Sequence, residues 1–520
     1  MPSIFPYTLR KIDGGEEMID LLLIHGMVVT MDRNRRLIPD GAIAINGSLI
    51  LDVDTTEKLV EKFEAKEVID CSHHCILPGL IDVHGHGGHS MFKTIAMESI
   101  DFWMPVITNT YKHFVTDDFW YYEGKLSALE RLKAGITTGV SVIGSMPRSD
   151  DPIFAINHAK AYAETGVREV VCTGPCNPPW PHLFSRWIGD KRITKEVAYE
   201  EVLHGAEAVV EALHHANEDR TRAFITPFVI VPSVEPSGPT SPARLNQLTE
   251  HDLDQAKKIR EIARKYNTRI HSDAFGGMIH LAVQDWENAL LGPDVHLQHC
   301  RGISFSEAKI LAETGTNVSV SPGFSQIHAR TPIIELMELG TTVAISTDGT
   351  SPSTSFDMFQ AMRKTQFIHQ SAHRDEYYLP PGKLLEMVTI DAAKCIGWDN
   401  ELGSLEAGKR ADVITVNMQQ PHLTPEFMHI HRLVYQAAAN DVDHVIVDGK
   451  ILMKDRIVYS VDESRVLAEA NEEANSTIKR AGLEKYMQHT KYFWGHTRTY
   501  ADGVNHSEED CWAAGKGDNQ

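Results

Sequence analysis

Eight short apolar runs, alternating with stretches of helical periodicity between Ile76 and Gly349, constrain the fold of this chain more than any other feature. They are ILPGLIDV from Ile76, ITTGVSVIG (136–144), REVVCTG (168–174), AFITPFVIV (223–231), RIHSDAF (269–275), DVHLQHC (294–300), NVSVSP (317–322) and TVAISTDG (342–349). Between them lie segments such as FWYYEGKLSALERLKAG and HDLDQAKKIREIARKYN, with apolar residues three and four apart. Eight parallel strand–helix units close into a TIM (β/α)8 barrel, an α/β fold that carries its chemistry at the carboxyl ends of the strands.

Both flanks of this region read differently. Residues 18–75 hold short strand patterns joined by Gly, Asn and Asp turns, interrupted only by TTEKLVEKFEA. Strand patterns return in ADVITVNM (411–418) and DHVIVDGKILMKDRIVY (443–459). The expected organisation is a β-sandwich assembled from 1–75 and 402–460, a barrel over 76–401, and a helical extension with a tail over 461–520. The tail is expected to wrap the body or pack on a second subunit of a homodimer or larger homo-oligomer.

The barrel runs end in metal-type side chains. His84 and His86 are two apart, a spacing that on a strand aims both imidazoles to one side. His271, His299 and Asp348 close later runs. Neutral imidazoles plus one carboxylate suit a borderline divalent metal, zinc first, with iron or manganese as alternatives. Gly85, Gly87 and Gly88 imply close backbone approach; no helix-opening dinucleotide fingerprint follows a strand. Cys71-Ser-His-His-Cys75 matches no standard zinc spacing and reads as buried thiols flanking a strand.

Net charge is −21 with no long basic run, which argues against nucleic acid or an anionic membrane as partner. No apolar run approaches the roughly 20 residues of a membrane span, and no secretory signal pattern opens the chain. Seven scattered cysteines fit reduced thiols, and the expected location is the cytoplasm.

With these residues in view the chain resembles the amidohydrolase superfamily, in the branch of triazine chlorohydrolases and aminohydrolases, nucleoside-type deaminases and related amide and urea hydrolases. The matching motifs are PGLIDVHGH (78–86), LKAGITT (132–138), IHSDAFGG (270–277), HCRGISFSEAKILAETGTNVSVSP (299–322), STDGTSP (346–352) and LGSLEAGKRADVITV (402–416). The resemblance implies one divalent ion on His84, His86, His271 and Asp348, with Asp348 also taking a proton and His299 contacting substrate. No lysine stands at the end of the fourth run, where relatives with two metals carry a carboxylated one. Lys93 and Trp103 stand where relatives often have Arg and Trp. His89, Trp180 and His328 are further expected substrate contacts, and PPWPHLFSRW is an expected aromatic loop over the pocket.

One position departs from the family pattern. Deaminases of this branch continue the His271 motif as His-x-x-Glu, and that glutamate shuttles protons; here the position is Ala274. Asp273 is adjacent but is expected to point to the other side of the strand. The expectation is therefore hydrolysis of a small amide, urea, carbamate or cyclic amide. Aminohydrolysis or dechlorination of an N-heterocycle is the alternative, and a non-catalytic scaffold is a third reading that the intact His/His/His/His/Asp set disfavours.

Overall fold

The computed structural model describes residues 17–95, 100–234, 246–323, 329–489 and 493–495. Eight parallel strands run in sequential order: Leu80–Asp82, Ile136–Ile143, Arg168–Thr173, Thr221–Ile225, Ile270–Phe275, Val295–Arg301, Asn317–Val320 and Val343–Ile345. They are called the first to eighth barrel strands below. A two-residue strand, His86–Gly87, continues beside the second. The strands are buried on both faces, so they read as continuous Val/Ile runs without alternation.

The barrel closes through side chains as well as backbone. Asp82 ends the first strand and accepts the Thr347 N–H at 2.9 Å and the Thr347 hydroxyl at 2.8 Å, beside the eighth strand. His84 O accepts the Asp348 N–H at 2.9 Å. Arg131 donates to Asp82 Oδ2, the oxygen that also takes the Thr347 hydroxyl, at 2.9 Å, with both side chains essentially without exposure. Asp82→Ala leaves that guanidinium buried and uncompensated, and is expected to cost about 3–5 kcal/mol of stability in denaturant unfolding. The amino-terminal mouth is plugged by Ala392, Cys395 and Trp398, which pack with Ile81, Val140, Val170 and Phe224.

Both chain ends share one mixed sheet. Its order is Ile457–Val458, Lys450–Lys454, Val442–Val447, Val413–Asn417, His74–Pro78, Glu17–Val29, Leu37–Asn46 and Leu49–Thr55, with Phe63–Asp70 added in parallel to Glu17–Val29. The join is the antiparallel pairing of Val413–Asn417 with His74–Pro78. Ile76 therefore belongs to this sheet. The barrel's first strand begins only at Leu80, because Pro78-Gly79 ends one ladder and starts the next. The expected boundary at residue 76 falls inside a sandwich strand. At Gly79 a Cβ would lie 2.0 Å from Thr137 Oγ1, so the chain passes the second strand too closely for any side chain.

The helix Glu463–Ala481 lies against the helix Asp117–Lys133, tied by Lys133–Glu463 at 2.8 Å and by Arg480 to Phe114 O at 2.8 Å. Most of the tail lies outside the described residues. Among the described residues no helix is long and apolar enough to cross a membrane.

Candidate metal centre and active site

His84 lies just past the first strand and His86 in the short strand beyond it, so a single strand face does not carry both. Their rings nonetheless meet edge to face at 4.9 Å. The intervening glycines make this possible. A Cβ on Gly85 would lie 2.5 Å from Arg131 Nη2, and one on Gly87 would lie 2.9 Å from His158 Nε2. The motif spells His-Gly-His-Gly because buried side chains press against its backbone.

Asp348 Oδ1 sits 3.2 Å from His86 Nε2 and 3.5 Å from His84 Nε2. These three ligand atoms lie within 4.8 Å of one another, and so do those of His84, Asp273 and His299. His271 is joined to the group through its Nε2, 2.8 Å from His84 Nδ1. Asp348 Oδ2 is 3.8 Å from His299 Nε2. The four residues expected as ligands thus converge here, three in one triad and His271 in contact with it.

The donor set fits a divalent cation. His86 Nδ1–H donates to Gly144 O at 2.7 Å and His271 Nδ1–H to His296 O at 3.1 Å, which leaves each Nε2 as a lone pair. His84 Nε2 is buried with no hydrogen-bond partner. Burial holds His271, His296 and His299 well below the ordinary imidazole value, hence neutral, as ligation requires. For His86 burial acts the same way, but the Asp348 carboxylate outweighs it and raises the ring. Burial opposes the Asp348 charge, yet the neighbouring His84, His86 and His299 imidazoles outweigh it and hold its carboxyl well below the usual range.

Two of the residues occupy left-handed backbone: His299 at φ 69° and Asp348 at φ 65°. Such conformations cost about 1–3 kcal/mol each in a non-glycine residue and collect at functional sites. In the sixth strand they have a clear purpose. His296 and Gln298 bond to Ser319 and Ser321 across the ladder. Period-two alternation would then turn His299 away. The left-handed turn at His299 and Cys300, matched by a register shift opposite Phe275, brings it back.

The expectation for Asp273 is corrected. His271 and Asp273 are two apart on the fifth strand and so share a face. Asp273 Oδ2 lies 3.7 Å from His299 Nε2, and burial pushes its carboxyl up to about 6. It is Ala274 that turns the other way, into the apolar core. Also unforeseen is the relay behind Asp348: Gln298 donates to Ser321 Oγ at 3.2 Å, and Ser321 to Asp348 Oδ2 at 3.1 Å. Its signal in the sequence was Ser319-x-Ser321 and His296-x-Gln298, spaced for one inner face.

The expected substrate contacts divide. His89 is buried, stacks on His86 at 4.5 Å, and neither of its ring nitrogens has a partner. Trp103 meets His89 edge-on at 5.0 Å and donates to Ser351 Oγ at 2.9 Å. Lys93 pairs with Glu130 and lines a groove with Lys133, Phe356 and Glu463 on the outer, helical side; it is not brought to the histidines. Trp180 packs beside Cys176 and Phe184, with Tyr199 at 5.7 Å, in a cluster apart from them. Its segment is no free lid. His182–Ile188 pairs with Lys191–Val197 as a hairpin, fastened by Trp187 Nε1–H to His113 O at 2.7 Å. His328 lies outside the described residues.

A second His/Asp group, His74, Asp443 and His444, lies in the sandwich. His444 Nδ1 accepts the Asp455 N–H at 3.0 Å, so its Nε2 must keep the proton and cannot also ligate. Burial pushes the Cys71 and Cys75 thiols up to about 12, which removes them as thiolate ligands.

A family model described as the Amidohydrolase family matches residues 75–452. The 5-methylthioadenosine/S-adenosylhomocysteine deaminase of Syntrophobacter fumaroxidans is 27% identical over 472 residues, covering 86% of this chain and 97% of that protein. The 5'-deoxyadenosine deaminase of Methanosarcina barkeri is 28% identical over 482 residues, covering 89% and 99%. Among solved structures, a zinc-bound adenosine deaminase from Xanthomonas campestris superposes with a TM-score of 0.74 at 18% identity, covering 89% of this chain and 100% of that one. The zinc complex of atrazine chlorohydrolase from Arthrobacter aurescens TC1 gives 0.73 at 19% identity, covering 87% and 100%.

Proposed function

The chain belongs to the amidohydrolase family and is a metal-dependent hydrolase of carbon–nitrogen bonds other than peptide bonds, and from that premise we propose that it is an aminohydrolase, releasing ammonia from an amino-substituted N-heterocycle. The observation that carries this reading is the position of Asp273. Ala274 had argued against a deaminase because no side chain there carries a proton. Asp273, 3.7 Å from His299 Nε2, supplies a carboxylate on the same strand one residue earlier. The deaminase relatives support the same substrate class.

In this reading His84, His86, His271 and Asp348 hold one divalent ion, zinc by the softness of the donor set. When bound, the ion supplies Lewis-acid activation of a water at neutral pH. Asp348 accepts the proton of the attacking water. Neutral His299 donates a hydrogen bond to the charge that develops as the ring carbon becomes tetrahedral. Asp273 delivers a proton to the ring nitrogen or to the leaving amine. One C–O bond forms, one C–N bond breaks, and ammonia departs. His89 and Trp103 wall the site.

The test is a screen of the metal-loaded protein against amino-heterocycles, anilides, ureas and lactams. Stoichiometric ammonia with a keto-heterocycle product is the expected result. Carboxylate release from an amide, with no ammonia from any amino-heterocycle, overturns the reading. His299→Asn is expected to lower kcat about 10²-fold with the metal retained, since it removes one polarising donor and no ligand. Metal analysis beside steady-state kinetics checks this.

A further inference from the structure

Directly behind the metal-type residues lies a set of buried charges that the proposed reaction does not use. His158, on the helix Ile153–Thr165, has no exposure; its Nε2 is 3.0 Å from Glu123 Oε2 and its Nδ1 2.7 Å from Glu169 Oε1, both carboxylates being equally buried. Burial pulls this imidazole toward neutrality, but the two carboxylates outweigh it and hold it at about 9, so the ring is an imidazolium at neutral pH. The other Glu123 oxygen accepts the Ser90 backbone N–H at 3.1 Å, and the same carboxylate takes the Gly88 N–H.

The set continues toward the opposite side of the site. Glu169 acts electrostatically on Arg131, and Arg131 pairs with Asp82 at 2.9 Å. Asp82 in turn accepts both Thr347 donors, next to Asp348. One end of the network therefore grips the turn that follows His86, and the other grips the residue that precedes Asp348. The glycines of the motif mark the contacts: Gly85 rests on Arg131 and Gly87 on His158.

We infer that Glu123, His158, Glu169, Arg131 and Asp82 form a positioning network that sets the placement of His86 relative to Asp348 and so tunes affinity for the metal. Buried ion pairs add little net stability compared with apolar packing of the same volume. Their placement here, with backbone N–H groups of the turn after His86 donating directly to Glu123, gives them a geometric task instead. Second-layer partners of this kind typically change metal affinity 10–100-fold when removed. The inference rests on the metal site of the proposed function.

The experiment compares wild type, Glu123→Gln and Gly87→Ala by chelator-competition titration of the apoprotein with Zn²⁺, and by visible absorption of the Co²⁺-loaded protein. Glu123→Gln keeps the size of the side chain and removes its charge. Gly87→Ala forces His158 aside without touching any charge, and serves where Glu123→Gln does not fold. Leu311→Ala, a buried change on the helix Phe305–Thr314, is the control for stability alone. The expected result is Zn²⁺ binding weakened 10–100-fold and a shifted Co²⁺ spectrum in the first two variants, with Leu311→Ala lowering Tm but binding as wild type. Wild-type affinity and spectrum in both network variants overturn the positioning role alone. Failure of wild type itself to take up an ion overturns the proposed function.

Discussion

Asp348→Asn is expected to lower turnover by more than about 10⁴-fold and to weaken metal retention, the largest effect of any single change in the site. Asp348 acts twice. Its Oδ1 lies between His86 Nε2 and His84 Nε2, as the only carboxylate of that triad. It is also the group placed to take the proton of the attacking water, a contribution worth about 10²–10⁴-fold by itself. Asparagine keeps the shape and can still accept from Ser321, but it carries no charge and accepts no proton. The fold is expected to survive, because the Thr347–Asp82 bonds and the Asp348 N–H to His84 O do not involve the lost carboxylate. Metal per chain and kcat on the best amino-heterocycle decide the matter. Turnover within about tenfold of wild type, at full metal content, would show that the proton leaves by another path.

Asp273→Asn is expected to lower kcat by about 10²–10⁴-fold while the metal content stays at its wild-type level. Asp273 belongs with His299 rather than with the Asp348 triad, and burial, against the pull of His84 and His86, raises its carboxyl to about 6, which suits a proton carrier. The loss should depend on the leaving group. A substrate whose departing group needs no protonation, such as a halide in place of an amine, should lose much less than the parent amine. Equal losses on both substrates would falsify the shuttle role and leave Asp273 as an electrostatic neighbour of His299.

These two carboxylates also show how much of the site was legible in the chain. Asp348 stood at the end of an apolar run beside Gly349, and its place beside His84 and His86 followed from that position together with the family motif. Asp273 was visible too, yet its side was misjudged because it was compared with Ala274 and not with His271. On a pleated strand the neighbour two positions away decides the face. Lys93 and Trp180 lie elsewhere than expected for another reason. Their segments leave the strand ends, and beyond a strand end no period tells where a side chain goes. Lys93 turned out to pair with Glu130 on the helical side, and Trp180 to pack at the base of a hairpin.

The sequence by itself determined the eight-unit barrel, the sharing of one sheet by both chain ends, and which histidines and aspartate gather at the strand ends. Each of these rests on local signals: apolar runs of strand length, helical spacing between them, and histidines at run ends. Tertiary structure alone decided three things. The start of the barrel moved from Ile76 to Leu80, because which ladder a strand joins depends on its partner, here Val413–Asn417. The inward aim of His299 depends on left-handed backbone that a side-chain pattern does not announce. The glycines between the histidines are explained only by Arg131 and His158, which come 46 and 71 residues later than Gly85 and Gly87 respectively and reach them across the packed interior. Local pattern specifies elements; the contacts that shape a site come from elements far apart in the chain, and those become readable only once the chain has folded.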